Sequence, residues 1–178
     1  MCWSANVSIS TWLFGMFAYL WGLSRGKDLG LFYLWYTQMQ LLEYFMWKDQ
    51  ECKGTNQIAS KLGYINILLQ PLLSIYTYYP NKWLYLLYAL LITQIRLPTD
   101  FCSRRNPKTC HLSWPWLPFE KVTLAIWFVL QFLPPFMTNK EYFLSGMLAY
   151  LYSFNNSQGS IGSLWCWIVV FYGIIAFL

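Results

Sequence analysis

The chain has 178 residues, of which 57% are hydrophobic, 21% aromatic and only 11% charged, against the roughly 25% charged residues of a soluble domain. Apolar runs fill almost everything between the charge clusters, which excludes the interleaved pattern of a water-soluble domain and predicts that the bilayer is part of its solvent. The formal net charge of +5 is spread over short connections, a distribution that suits headgroups and topology and argues against nucleic acid as a partner.

The N-terminus, Met1 to Asn6, lacks the basic stretch and cleavage site of a signal peptide, so the first apolar run is expected to stay in the protein. In chain order the runs predict an all-α polytopic transmembrane bundle of about seven spans in one domain over residues 1–178: 5–23, 29–47, 57–79, 83–95, 121–137, 141–154 and 161–178. Helices are required because a backbone in hydrocarbon must satisfy its own amides, and the alternation of a barrel strand is missing. The fourth run is short and is expected to borrow Arg96 and Leu97 or to tilt little. The long connection from Arg96 to Glu120 is broken by Pro115 and Pro118, so it is predicted to lie on the membrane surface with Trp114 and Trp116 dipping into the headgroups.

Seven spans put the termini on opposite sides. The side of the N-terminus carries Lys48, Lys53, Lys61, Arg96, Arg104, Arg105, Lys108 and Lys121, the other Arg25, Lys27, Lys82 and Lys140. The positive-inside rule then places the N-terminus in the cytosol and the C-terminus outside or in a lumen. Cys2, Cys52, Cys102 and Cys110 fall on that same basic side and should be reduced if it is cytosolic; a Cys102–Cys110 disulfide would argue for a lumenal face or an oxidised particle.

Polar groups within the spans are the candidates for chemistry. Glu43 near the end of the second run and Lys61 near the start of the third have matched depth, which predicts an ion-paired or hydrogen-bonded couple, either a helix lock or part of a site. Asn66, Gln70, Gln94 and Gln131 can bond between helices, and Gln38, Gln40, Glu43, Lys61, Asn66 and Gln70 share one hairpin. Pro71 leaves the carbonyl of Ile67 without its helical partner, one way to open a ligand-accepting patch. Cys102, Cys110 and His111 match no zinc spacing, no phosphate loop is present, and the last run has no lysine for a retinal Schiff base, so neither metal nor cofactor is expected. The sequons at Asn6 and Asn155 hug the bilayer and are expected to stay unmodified.

Met1-Cys2-Trp3-Ser4-Ala5, the stretch Gln40 to Trp47 (QLLEYFMW), Asn56, Ser60 and Leu69-Gln70-Pro71-Leu72 resemble a family of small polytopic membrane proteins encoded by large DNA viruses and some protists. The similarity covers mostly the first three spans and brings no activity with it. It implies a viral or protist membrane and draws attention to Glu43, Trp47, Asn56, Gln70 and Pro71.

The leading expectation is an intramembrane polar site formed by Glu43, Trp47, Lys61, Asn66 and Gln70 that binds or conducts a small solute, ion or proton. Two rivals stand beside it. One is a non-catalytic structural or assembly protein of a viral internal membrane, with Glu43 and Lys61 merely locking helices; the other is a lipid-modifying enzyme using Cys110 and His111. Membrane lipids, further copies of the chain or virion proteins are the expected partners, and a non-enzymatic role is favoured.

Overall fold

The computed structural model describes residues 4–26, 30–108, 110–117, 121–138, 140, 143–144, 146–148 and 169–174. Among the described residues the chain is all-α apart from one small hairpin, and the elements run α1 (Ala5–Ser24), α2 (Gly30–Lys48), α3 (Thr55–Tyr78), α4 (Lys82–Gln94), β1 (Arg104–Arg105), β2 (Leu112–Ser113) and α5 (Lys121–Thr138). The first five predicted runs thus correspond to helices. The sixth and seventh fall mostly outside the described residues; what is described of them at 143–144, 146–148 and 169–174 is helical.

Helix ends are set by local chemistry. Ser4 caps α1 by accepting the Val7 amide at 3.4 Å, and Asn81 caps α4 by accepting the Trp83 amide at 2.9 Å. Two ends borrow caps from elsewhere. The Thr77 hydroxyl of α3 accepts the Phe32 amide in the first turn of α2 at 3.3 Å, and Asp49 accepts the Asn56 amide in the first turn of α3 at 3.1 Å. The latter brings a carboxylate to a helix N-terminus, where the exposed amides and the dipole favour it.

α1 buries a stripe of small residues, Ser8, Thr11, Gly15, Ala18 and Gly22, spaced three or four apart. Such a stripe lets two backbones approach closely. A β-carbon on Gly15 would meet the Thr37 methyl at 2.6 Å, so α2 lies hard against this face. α2, α3 and α5 complete the core, with Phe32, Tyr33, Tyr36, Met39, Ile67, Ile75, Trp127 and Leu130 buried. The outward faces are apolar: Leu13, Phe17 and Leu20 on α1, Ile58, Leu62 and Ile65 on α3, Trp83, Leu86 and Leu90 on α4 and Val122 and Val129 on α5 are exposed. α1 and α3 are the two helices, among the described residues, long and apolar enough to cross a membrane.

Two sequence expectations change here. α4 stops at Gln94 with Ile95 already extended, so it does not take in Arg96 and Leu97 and spans only about 20 Å at the usual rise. The connection after it does not lie flat with its tryptophans in the headgroups. β1 pairs antiparallel with β2, Arg104 opposite Ser113 and Arg105 opposite Leu112. Trp114 stacks on Trp116 at 5.1 Å, and Trp116 is fully buried edge-on to Tyr64. The reason is a seat on α3: Gly63 has no side chain, and Trp116 reaches within 3.3 Å of where its β-carbon would be.

Candidate functional site

Glu43 belongs to the α1–α2 interface. It is 2% exposed, and the Ser8 hydroxyl of α1 donates to its Oε2 at 3.4 Å. One turn and a half away the Trp12 indole donates to Gln38 Oε1 at 3.2 Å, and the Gln38 amide donates to the Leu34 carbonyl at 3.0 Å. Lys61 is elsewhere. Its side chain is on the exposed face of α3 with the ammonium 6.0 Å from the Phe101 ring centroid, a cation–π arrangement. The Glu43–Lys61 couple is therefore not the arrangement formed. Rotation about the helix axes turns the carboxylate toward α1 and the ammonium outward, where a long aliphatic stem can reach a polar boundary.

Asn66 and Gln70 form a separate layer. The Trp35 indole donates to the Asn66 carbonyl at 3.1 Å, the Asn66 amide donates to the Trp35 carbonyl at 3.1 Å, and the Gln70 amide donates to Asn66 Oδ1 at 2.9 Å. This two-way clamp joins α2 to α3. Trp35 and Glu43 are eight residues apart on one helix, about 12 Å along the axis, so the clamp and the carboxylate do not line one site. Trp47 is half-buried and packs on the core. The five residues expected to form one polar site are thus distributed over separate environments.

Pro71 does free the Ile67 carbonyl, and α5 fills the vacancy: the buried Trp127 indole donates to it at 3.1 Å. The converse contact is also made. Pro135 of α5 cannot bond the carbonyl of Gln131, and the Ser74 hydroxyl of α3 donates to that oxygen at 2.7 Å. Each helix repairs the backbone defect that proline makes in the other, as a low-dielectric surrounding requires. Of the other interhelical candidates, Gln131 is buried, whereas Gln94 is exposed and donates to its neighbour Thr93.

The densest polar construction is at the α2–α3 turn, around Asn56. Its amide donates to the carbonyls of Met46 at 2.8 Å and Ser103 at 2.7 Å, and its Oδ1 accepts the Ser103 amide at 2.9 Å and the Ser60 hydroxyl at 3.1 Å. Ser103 Oγ lies 2.8 Å from Ser60 Oγ and accepts the Trp116 indole at 2.7 Å. Gln50 accepts the Arg105 amide at 2.7 Å. Beside this network Cys52 is disulfide-bonded to Cys102, with the α-carbons 5.8 Å apart. That corrects the pairing considered from sequence: Cys102 takes Cys52, and Cys110 is partly exposed. Asp49 accepts the amides of Lys53 and Asn56, and these bonds hold its carboxyl below the ordinary carboxylate range.

At the hairpin tip the Arg105 guanidinium donates to Cys110 Sγ at 3.4 Å, while His111 is 7% exposed and burial holds its imidazole below the ordinary value. A nucleophilic pair would need both groups to face one accessible space. Two cavities lie elsewhere. One of about 490 Å³ is lined by α5 with Phe143 and Met147, the other of about 720 Å³ lies between the end of α4 and the start of α5; neither touches Glu43 or His111. Among the described residues no cluster of three or more His, Cys, Asp or Glu side chains could hold a metal.

Sequence reasoning missed Trp35, Asp49, Ser74, Ser103, Trp116 and Trp127 as organising residues. The prolines held the one available signal, since each marks a carbonyl four residues earlier that must find a donor. Comparison with protein-family models, with characterised proteins and with solved structures finds no match for this chain.

Proposed function

We propose that this chain is an integral membrane protein of about seven spans and that it acts as a non-catalytic structural or assembly component of its membrane. The observation carrying this reading is that the groups best suited to hold a ligand are taken up by other helices: Asn66 and Gln70 by the Trp35 clamp, and the carbonyl freed by Pro71 by Trp127. Membrane residence is supported by an inverted distribution of polarity, with Glu43, Asn66, Gln70 and Gln131 buried and leucines, isoleucines and phenylalanines exposed. The family resemblance adds a viral or protist membrane as the setting, with virion proteins or further copies of the chain as partners.

Orientation follows from two opposed arguments. The charge count sends the N-terminal side to the cytosol, but the Cys52–Cys102 disulfide joins two connections on that side, and disulfides persist in oxidising compartments. We give the disulfide precedence, because the charge bias is a statistical tendency of short loops. The N-terminal side then faces a lumen, the exterior or an oxidised particle. Labelling of a cysteine introduced at the exposed Lys108 by an impermeant maleimide in sealed right-side-out vesicles tests this, with the unsubstituted protein as background; protection of the new thiol until the vesicles are permeabilised would restore the charge rule.

A second reading, a proton or solute site, is favoured by one observation: a carboxyl buried between α1 and α2 with a serine hydroxyl beside it. The deciding experiment uses purified protein in liposomes carrying a pH gradient. The structural reading expects decay no faster than in empty liposomes. Dissipation that disappears in Glu43→Gln would overturn it in favour of the second. Alkaline carbonate extraction tests the membrane assignment itself, with the chain expected in the pellet.

A further inference from the structure

The 720 Å³ cavity between α4 and α5 has an unusual division. Leu87 and Leu90 of α4 and Val122 and Ile126 of α5 contribute apolar side chains, while Thr93, Gln94, Arg96 and Thr123 contribute polar ones, Gln94 and Arg96 where α4 gives way to the connection. Leu91 is the one residue that α4 buries, and the space lies between this helix and the start of α5. Leu90 and Val122 are 56% and 71% exposed, so these walls continue into the apolar outer surface. Leu97, next to the arginine, is 82% exposed, as befits a residue at the boundary between headgroups and acyl chains.

Arg96 is held by its backbone. The Tyr64 hydroxyl of α3 donates to its carbonyl at 3.2 Å, which fixes where the side chain starts and leaves the guanidinium available. Among the described residues the only ion pair is Lys53 with Glu51, so no described carboxylate neutralises Arg96. A planar guanidinium in a cleft lined by both polar and apolar side chains matches an anionic phosphodiester carrying an acyl chain, whose phosphate it can bind through two parallel hydrogen bonds.

We propose that this cleft is a phospholipid site, with the phosphodiester of a glycerophospholipid on Arg96, assisted by Gln94, and an acyl chain along Leu87, Leu90, Val122 and Ile126. A free phosphate would use only the polar end and a detergent tail only the walls. The site rests on the membrane reading above but not on the structural role, since a bound lipid suits either a scaffold or a transporter.

The test is native mass spectrometry of the full chain in detergent, titrated separately with dioctanoyl phosphatidylglycerol, dioctanoylglycerol and inorganic phosphate. Only the phosphatidylglycerol is expected to bind. Arg96→Gln should weaken binding roughly 10- to 100-fold, the range for a lost hydrogen bond to a charged group. Val122→Trp, at an exposed position that tolerates bulk, should also weaken it by closing the cleft. Equal binding of dioctanoylglycerol would reduce the site to a greasy groove, and equal binding of phosphate would reduce it to the arginine alone; either overturns the proposal without using a variant. Unchanged affinity in a folded Arg96→Gln protein overturns it too. None of these results bears on carbonate extraction, which judges the membrane assignment separately.

Discussion

Replacing Asn56 by alanine removes the amide that serves four buried partners at once. Two of those losses are tolerable: the Met46 carbonyl keeps the Gln50 amide at 2.7 Å, and the Ser60 hydroxyl keeps Ser103 Oγ at 2.8 Å. The Ser103 amide and carbonyl do lose their partner, in a residue with no exposed surface. A buried polar group left without a bond costs about 1–3 kcal/mol, so the two together predict a destabilisation of about 2–6 kcal/mol. At about 2–4 °C of melting temperature per kcal/mol for a chain of this size, the loss should be plain in a thermal melt followed by tryptophan fluorescence in detergent. Trp116, bonded to Ser103, should report it directly. The disulfide holds the same connection across a separation of 50 residues, and on chain-entropy grounds closing such a loop is worth about 4 kcal/mol. Asn56→Ala combined with Cys52→Ser should therefore deviate from the sum of the single effects, because both act on one segment. An Asn56→Ala protein that melts with the wild type would refute the view that this network pins the connection to the bundle.

The proline repair makes a second prediction: Trp127→Phe strands the Ile67 carbonyl at a cost of about 1–3 kcal/mol, and Pro71→Ala, which restores a helical amide for that carbonyl, should recover much of it. Purely additive melts for the pair would sink the idea. Glu43→Gln and Lys61→Met should show no coupling in a double-mutant cycle, since the two side chains have different neighbours; recovery in the double mutant would reinstate the ion pair. Acid should destabilise the protein in two steps. His111, held down by burial, contributes stability that is full above its ordinary value of 6.5 and declines as pH falls toward its lower folded value. Asp49, held down by the Lys53 and Asn56 amides, contributes stability present above its ordinary value of 3.8 and lost as pH falls through its folded value below that. Melts across pH should show Asp49→Asn without the lower step and His111→Gln without the upper one.

Helix number and position over the first five segments could be read from the chain because each is a long apolar run, and the charged connections that end those runs are equally visible. α1 and α3 depart from their expected bounds by one or two residues. Rotation of α2 and α3 about their axes was not legible, because apolar side chains occupy both their buried and their exposed faces. For that reason Glu43 and Lys61 could be taken for a pair when one faces α1 and the other Phe101. The prolines disclosed which carbonyls lack a helical donor, but not that Trp127 and Ser74 supply it from neighbouring helices. Cys52 and Cys102 are 50 residues apart, and only the docking of their connections on Asn56 and Gln50 brings them to bonding distance. The sequence by itself determined that the chain is a set of apolar helices with a few costly polar groups among them; the tertiary structure decided which helix satisfies each of those groups, since a buried donor or acceptor takes whatever partner packing brings within about 3 Å.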